Sequence, residues 1–176
     1  MSTRIRDAEP DFLEDHQKDP DAEPLRLGRR ESEPHSAEVT YLYDILSSNF
    51  PDCRTFWDLH HYFEINGEKM DLQFDISFFK NLKEHFSVSS FNSSEYENRK
   101  PDMVINVLSV GTWRKDFLEI AETCELLKIP IYIIFAPYEV ASKQYKPPFM
   151  RVFKLNDVEI YEKTTIREIA AKESES

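Results

Sequence analysis

The feature that most constrains the fold is an apolar segment, an amphipathic segment and a second apolar segment in direct succession. Apart from Asn106, Met103 to Leu108 and Ile131 to Phe135 are apolar runs, as found in strands covered on both faces. Trp113 to Leu127, between them, has the spacing of an amphipathic helix, which Pro130 ends. Its apolar stripe consists of Phe117, Ile120, Ala121, Cys124 and Leu127. The succession predicts a βαβ unit with parallel strands and a right-handed crossover.

A β-hairpin is predicted upstream of this unit. Asn66-Gly67 is a favoured residue pair for a type I′ turn, and the residues after it alternate between apolar and polar. The apolar set consists of Leu72, Phe74, Ile76 and Phe78, and the polar set of Asp71, Gln73, Asp75 and Ser77. We therefore expect one face of this strand in the core, while the other carries the two carboxylates, Asp71 and Asp75.

The chain is predicted to form one domain between two tails. Residues 1–37 carry ten acidic residues, six basic residues and four of the ten prolines, which predicts a disordered acidic arm. Residues 38–163 are the predicted α/β domain, entered through a helix from Ala37 to Ser48 with Ser36 as its N-cap. Residues 164–176 predict a short helix and an acidic tail.

Three weaker patterns complete the domain. Asn81 to Phe86 predicts a short helix, and the segment from Ser87 to Lys100, rich in Ser and Asn, predicts a polar loop. Met150 to Leu155 and Val158 to Tyr161 predict a final hairpin around Asn156-Asp157.

Composition excludes several classes of protein. With three glycines in total, the chain cannot form a phosphate-binding loop, so we expect no nucleotide cofactor. The formal charge of −11 argues against a general nucleic-acid coat, because such binding begins with neutralisation of phosphates. The two cysteines form no metal or disulfide pattern, which favours a reducing cytoplasm. No apolar run is long enough to cross a membrane, so no membrane association is expected.

The histidines and phenylalanines favour ordinary structural roles. His60 and His61 are adjacent on a strand, so they face opposite sides and cannot share one ligand role. The phenylalanines of this region are expected in the core rather than on a base-stacking surface. They are Phe56, Phe63, Phe74, Phe78, Phe79 and Phe86.

Four segments of the chain read FDISFF, KPDMVINVLSVGT, RKDFLEIAETCELLKIP and IYIIFAP. They resemble the Uma-two family of restriction endonucleases, which belongs to the PD-(D/E)XK nuclease superfamily. The similarity extends roughly from Phe63 to Leu155 and is strongest from Pro101 to Pro137. It implies a restriction-endonuclease-like mixed sheet in which a β-hairpin feeds the βαβ unit and helices flank the sheet.

The same resemblance implies a site for phosphodiester hydrolysis in DNA. Such enzymes hold Mg²⁺ with carboxylates, and a lysine helps to orient the attacking water. Asp75 matches the family's Asp, but Asn106 stands at its Glu position and Ile120 at its Lys position. The implied catalytic residues are Asp75 and Asn106, with Asp71 as a further metal ligand. Mg²⁺ is expected as a cofactor only if the protein is active.

Two functional hypotheses remain open. In the first, Asp71, Asp75 and Asn106 converge in one cleft, bind a divalent cation and cleave DNA. In the second, a nuclease-like fold with a degenerate active site serves as a binding or regulatory module for a protein partner or a second copy of the chain, through the exposed edge of the final hairpin. Asn106 is accordingly either the remnant of a metal site or a core amide with backbone partners.

Overall fold

The computed structural model describes residues 33–82, 90–108, 115–137 and 148–166. The helices and strands are α1 (Glu33–Asn49), β1 (Arg54–Ile65), β2 (Glu68–Phe79), β3 (Ser90–Asn92), a 3₁₀ turn (Ser93–Tyr96), β4 (Met103–Val107), a π-helical turn (Lys115–Ile120) that continues into α2 (Ala121–Leu126), β5 (Ile131–Ala136), β6 (Phe149–Leu155) and β7 (Tyr161–Ile166). Within these residues, no helix has the length and apolar character needed to span a membrane.

The strands form a single mixed sheet in the order β3-β1-β2-β4-β5-β6-β7. β4 lies parallel to β5 and β3 parallel to β1, while all the other neighbours are antiparallel. The hairpin β1–β2 turns at Asn66 and Gly67, whose φ angles of 52° and 81° suit the predicted I′ turn. The predicted mixed α/β fold, with a hairpin that feeds a strand-helix-strand unit, is confirmed.

Two apolar layers cover the sheet. The α2 layer joins α2 to one face of the sheet and includes Val104, Tyr132 and Ile134. The α1 layer, on the opposite face, joins Val39 of α1 to the alternate strand residues such as Ile105. A smaller cluster near β3 contains Leu59, Phe79, Leu82 and Phe91. The alternation along β4 and β5 arises because successive side chains of a strand point to opposite faces.

The predicted alternation of β2 fails at Asp75. Phe74 packs in the α2 layer, whereas Ile76 packs in the α1 layer and pairs with Ile105. The residues on either side of Asp75 pair regularly with β1. Asp58, which lies opposite Asp75 on β1, has a φ of 52°. The register to β1 is the same on both sides, so the residues beyond Asp75 exchange faces without an inserted residue.

Several predicted boundaries are corrected. Helix α1 begins at Glu33, so Ser36 lies within it and the predicted boundary between residues 37 and 38 falls inside the helix. The second strand of the final hairpin was predicted from Val158 to Tyr161, but β7 runs from Tyr161 to Ile166, so the residues from Thr164 onward begin as strand and not as helix. The predicted polar loop contains β3, whose Phe91 is fully buried. Residues 1–32, 83–89 and 167–176, which include most of the predicted arm, short helix and tail, lie outside the described residues.

Candidate functional site: a split between two strands

The candidate site is the point at which β2 and β4 separate. Their regular pairing runs from Phe78 to Ile76 and stops before Asp75. Two side chains join the strands there instead. The Asn106 Oδ1 accepts a hydrogen bond from the Asp75 backbone N–H at 3.1 Å, and the Asp75 Oδ2 accepts one from the Val107 backbone N–H at 2.7 Å. We call this reciprocal pair of bonds the clasp.

The other end of the Asn106 amide is also engaged. Its Nδ2 donates to the Asp116 Oδ1 at 3.1 Å and to the Tyr132 hydroxyl at 3.4 Å. The Tyr132 hydroxyl in turn donates to the Asp116 backbone carbonyl at 2.9 Å. Burial raises the pKa of Tyr132 well above its usual value and so keeps it a donor. Asn106 therefore acts as acceptor and donor at once, and a carboxylate in its place could not donate to Asp116.

Asp75 and Asn106 contact different layers. Whereas Asn106 bonds to groups of the α2 layer, the Asp75 Oδ2 lies 3.2 Å from the Nε2 of His35, which is on helix α1. The side chains of His35 and Asp75 are only 11% and 19% exposed. The structure thus brings the two predicted catalytic residues, Asp75 and Asn106, together through hydrogen bonds between side chains and backbone N–H groups. Their other side-chain contacts, however, lie in different layers.

Asp71 and Ile120 lie apart from the clasp. Asp71 is four residues from Asp75, which is about 13 Å along a strand, and its side chain is half exposed. Its Oδ1 lies 3.0 Å from the Nδ1 of His60. Ile120, at the position where the family has lysine, is buried in the apolar α2 layer. The expected convergence of Asp71 with Asp75 and Asn106 is not what the structure shows.

The donor set does not fit Mg²⁺. This ion needs several oxygen ligands at about 2.0–2.1 Å in octahedral geometry. The Asn106 oxygen already accepts an N–H, and so does the Asp75 Oδ2. In the described part of the chain, no group of three or more His, Cys, Asp or Glu side chains is placed to hold a metal ion. We therefore derive no step of hydrolysis through a cation here.

His35 and Asp116 belong to the site but were not among the predicted site residues. His35 was assigned to the disordered arm, because the helix was predicted to start after it. The signal was present, since His35, Val39, Leu42 and Leu46 follow helical spacing, and Pro34 is tolerated in a first turn. Asp116 lies in the π-helical turn, a distortion that sequence periodicity does not reveal.

Comparison with solved structures identifies a similar fold. A protein from Anabaena variabilis ATCC 29413, described as "a putative nuclease belonging to DUF820", matches with a TM-score of 0.58 and 18% sequence identity. The match covers 80% of this chain and 71% of that protein. No protein-family model matches the chain, and neither does any curated protein. The fold is thus nuclease-like, in agreement with the sequence prediction.

Proposed function

We propose that this chain is a non-catalytic protein of nuclease-like fold that works by binding another protein molecule. The observation that carries the proposal is the double use of the Asn106 amide, which accepts from the Asp75 N–H and donates to Asp116. The residue at the position of the family's glutamate is thereby built into the core as a structural amide. Its single oxygen is uncharged and already accepts one hydrogen bond, so it is a poor ligand for a cation.

The other two positions of the family's site support the same proposal. Ile120 replaces the lysine with a side chain that can neither donate a hydrogen bond nor carry charge, and its burial gives it a packing role. Asp75 is retained, but it accepts the Val107 N–H and contacts His35. A site for metal-assisted hydrolysis needs an open coordination position and a means of stabilising charge. Among the described residues, Ile120 brings no charge to the lysine position, and only part of the Asp75 carboxylate is accessible.

A binding surface is offered by the last strand. In the described part of the chain, β7 pairs with β6 alone and ends the sheet. Most of its side chains are exposed. An open strand edge can accept an extended segment of another protein through main-chain hydrogen bonds. A partner strand or a second copy of this chain is therefore the proposed ligand, and the formal charge of −11 disfavours DNA in that role.

A metal-dependent DNA endonuclease is the second candidate. It is favoured by one observation, the retention of Asp75 at the point where the sheet opens, with part of its carboxylate accessible. The two candidates differ in whether Asp75 is required for any cleavage.

The test uses the full-length protein with plasmid and single-stranded DNA across a series of Mg²⁺ and Mn²⁺ concentrations. We expect no cleavage above that of Asp75→Asn, and equal behaviour of Asp71→Asn, a control on the same strand but outside the clasp. Light scattering over a range of protein concentrations checks for self-association. Cleavage that Asp75→Asn abolishes and Asp71→Asn preserves would establish the endonuclease and reject the proposal.

A further inference from the structure

We propose that helix α1 covers the point at which β2 and β4 separate, with His35 occupying the approach to the Asp75 carboxylate and keeping divalent cations out. The inference deepens the proposed function and rests on it, because it explains why a retained aspartate does not serve as a metal ligand. It concerns an internal contact, so its outcome can be measured independently of DNA cleavage.

The described side-chain contacts of Asp75 converge on one carboxylate oxygen, Oδ2. Its Oδ2 accepts the Val107 N–H at 2.7 Å from the side of β4, and the His35 Nε2 lies 3.2 Å from the same oxygen on the side of α1. Both side chains of the His35–Asp75 pair are largely buried. The His35 Nε2 stands where an incoming cation would meet Oδ2, and an N–H donated from it would direct positive charge at that oxygen.

His35 is held in place by the rest of helix α1. Val39, Leu42 and Leu46 pack in the α1 layer against the sheet. They follow His35 at intervals of four, seven and eleven residues, so all four side chains lie on one face of the helix. A rotation of the His35 side chain alone would move its imidazole away from Asp75 and leave it beside the apolar layer without this partner. The imidazole is therefore held in place where α1 packs against the sheet.

The chain provides a matched control on the same sheet. His60 and Asp71 form a second His–Asp pair, with 3.0 Å between Nδ1 and Oδ1. This pair is exposed, at 43% and 50% for the two side chains, and it lies outside the clasp. Removal of His60 should expose Asp71 to solvent without affecting Asp75. A comparison of the two pairs therefore distinguishes a specific block of cation binding at Asp75 from the general effect of removing a histidine beside an aspartate.

The experiment titrates MnCl₂ into isotopically labelled full-length protein and follows the paramagnetic broadening of backbone amide signals. In His35→Ala, we expect the Val107 signal to broaden at a Mn²⁺ concentration at least tenfold lower than in the wild type. Asp75→Asn in the same background should abolish this gain, and His60→Ala should leave the Val107 signal as in the wild type. His35→Leu, which preserves apolar packing of α1, serves as a second variant if His35→Ala fails to fold.

The experiments test the exclusion of cations by His35 and the proposed absence of catalysis separately. If folded His35→Ala and His35→Leu show the wild-type broadening of Val107, the block by His35 is wrong, whereas the absence of catalysis can still hold. If the wild type cleaves DNA in an Asp75-dependent manner, the proposed function fails, whatever the Mn²⁺ titration shows. A gain in His35→Ala that survives Asp75→Asn would place the cation elsewhere and would also overturn the block.

Discussion

Two polar side chains are buried in neighbouring parts of the sheet, and they differ in how they are satisfied. At the clasp, the Asn106 amide has partners for its oxygen and for its nitrogen. On β1, His61 is fully buried, and neither of its ring nitrogens forms a hydrogen bond of acceptable geometry with the described residues. Four aromatic rings surround it, with centroids 5.1–6.3 Å away. They belong to Phe63, Phe74, Phe79 and Phe91, and we call this cluster the aromatic cage.

The difference shows that a polar residue in a buried strand can either be fully hydrogen-bonded or lack hydrogen-bond partners. The amide that stands out in the sequence is a well-bonded structural element, while His61, for which the sequence favours an ordinary structural role, has two buried ring nitrogens without such bonds. Burial lowers the pKa of His61 to about 4, which outweighs the opposite effect of the Leu59 and Leu72 backbones nearby. An unsatisfied buried polar group costs about 1–3 kcal/mol, and a fully bonded one contributes modestly.

The largest effect is expected from breaking the clasp. Asn106→Ala leaves the Asp75 N–H and the Asp116 carboxyl without their shared partner, so we expect a loss of about 3 kcal/mol in the free energy of unfolding, measured with urea. Asn106→Asp should cost a similar amount, because it keeps an acceptor but loses the donor. Gln73→Ala removes an exposed amide from β2, the strand of Asp75, and should cost less than about 0.5 kcal/mol. A loss below 1 kcal/mol for Asn106→Ala would contradict a structural role for the clasp.

Acid should act on the aromatic cage. Above the ordinary His pKa of 6.5, His61 is neutral in both folded and unfolded chains. As the pH falls from 6.5 towards 4, the unfolded chain takes up the proton first, so stability is lost. The expected loss is about 3 kcal/mol at the lower end, as a difference between the wild type and His61→Leu. Parallel stability profiles for the two proteins over this range would refute the assignment.

At pH 7.5 the same substitution should have a smaller effect of the same sign. His61→Leu replaces two polar atoms without partners by an apolar side chain of similar volume, so we expect a gain of about 1 kcal/mol in the free energy of unfolding. Thermal unfolding with a calorimetric check of reversibility measures it. Destabilisation by more than 1 kcal/mol would mean that the imidazole has partners that matter.

The smallest effect on the free energy of unfolding is expected at the exposed His60–Asp71 pair, which serves as the reference for polar contacts on this sheet. Asp71→Asn should change the free energy of unfolding by less than about 0.5 kcal/mol, because exposed ion pairs contribute little. The same urea experiment compares it with Asn106→Ala. A loss of stability close to that of Asn106→Ala would show that solvent exposure does not determine how much these polar groups contribute to the free energy of unfolding.

The elements that depend on local periodicity could be predicted from the sequence. The Asn66-Gly67 turn, the apolar runs of β4 and β5, and the stripe of α2 all appear where the pattern placed them. The opposite orientation of His60 and His61 also follows from strand geometry, since one is part-exposed and the other buried. These features need only the spacing of neighbouring residues.

The features that depend on contacts between distant segments could not be predicted. The exchange of faces at Asp75 reverses the faces of Ile76 and Phe78, and it coincides with the left-handed backbone of Asp58 and with the clasp to β4. Asp71 was grouped with Asp75 by their shared face, but a shared face does not bring residues four apart to one cation. The metal-binding roles of Asp75, Asp71 and Asn106 stay predictions, and the clasp offers them poor geometry.

The separation of the clasp partners along the chain bears on the order of folding. The two strands of the hairpin meet through a two-residue turn, so they can pair within microseconds, whereas Asn106 reaches Asp75 across 31 residues and only after β4 has docked. Contacts that form after the rate-limiting step affect mainly the rate of unfolding. We therefore expect clasp variants to unfold faster while refolding at nearly the wild-type rate, so that Asn106 governs how long the native sheet persists once formed.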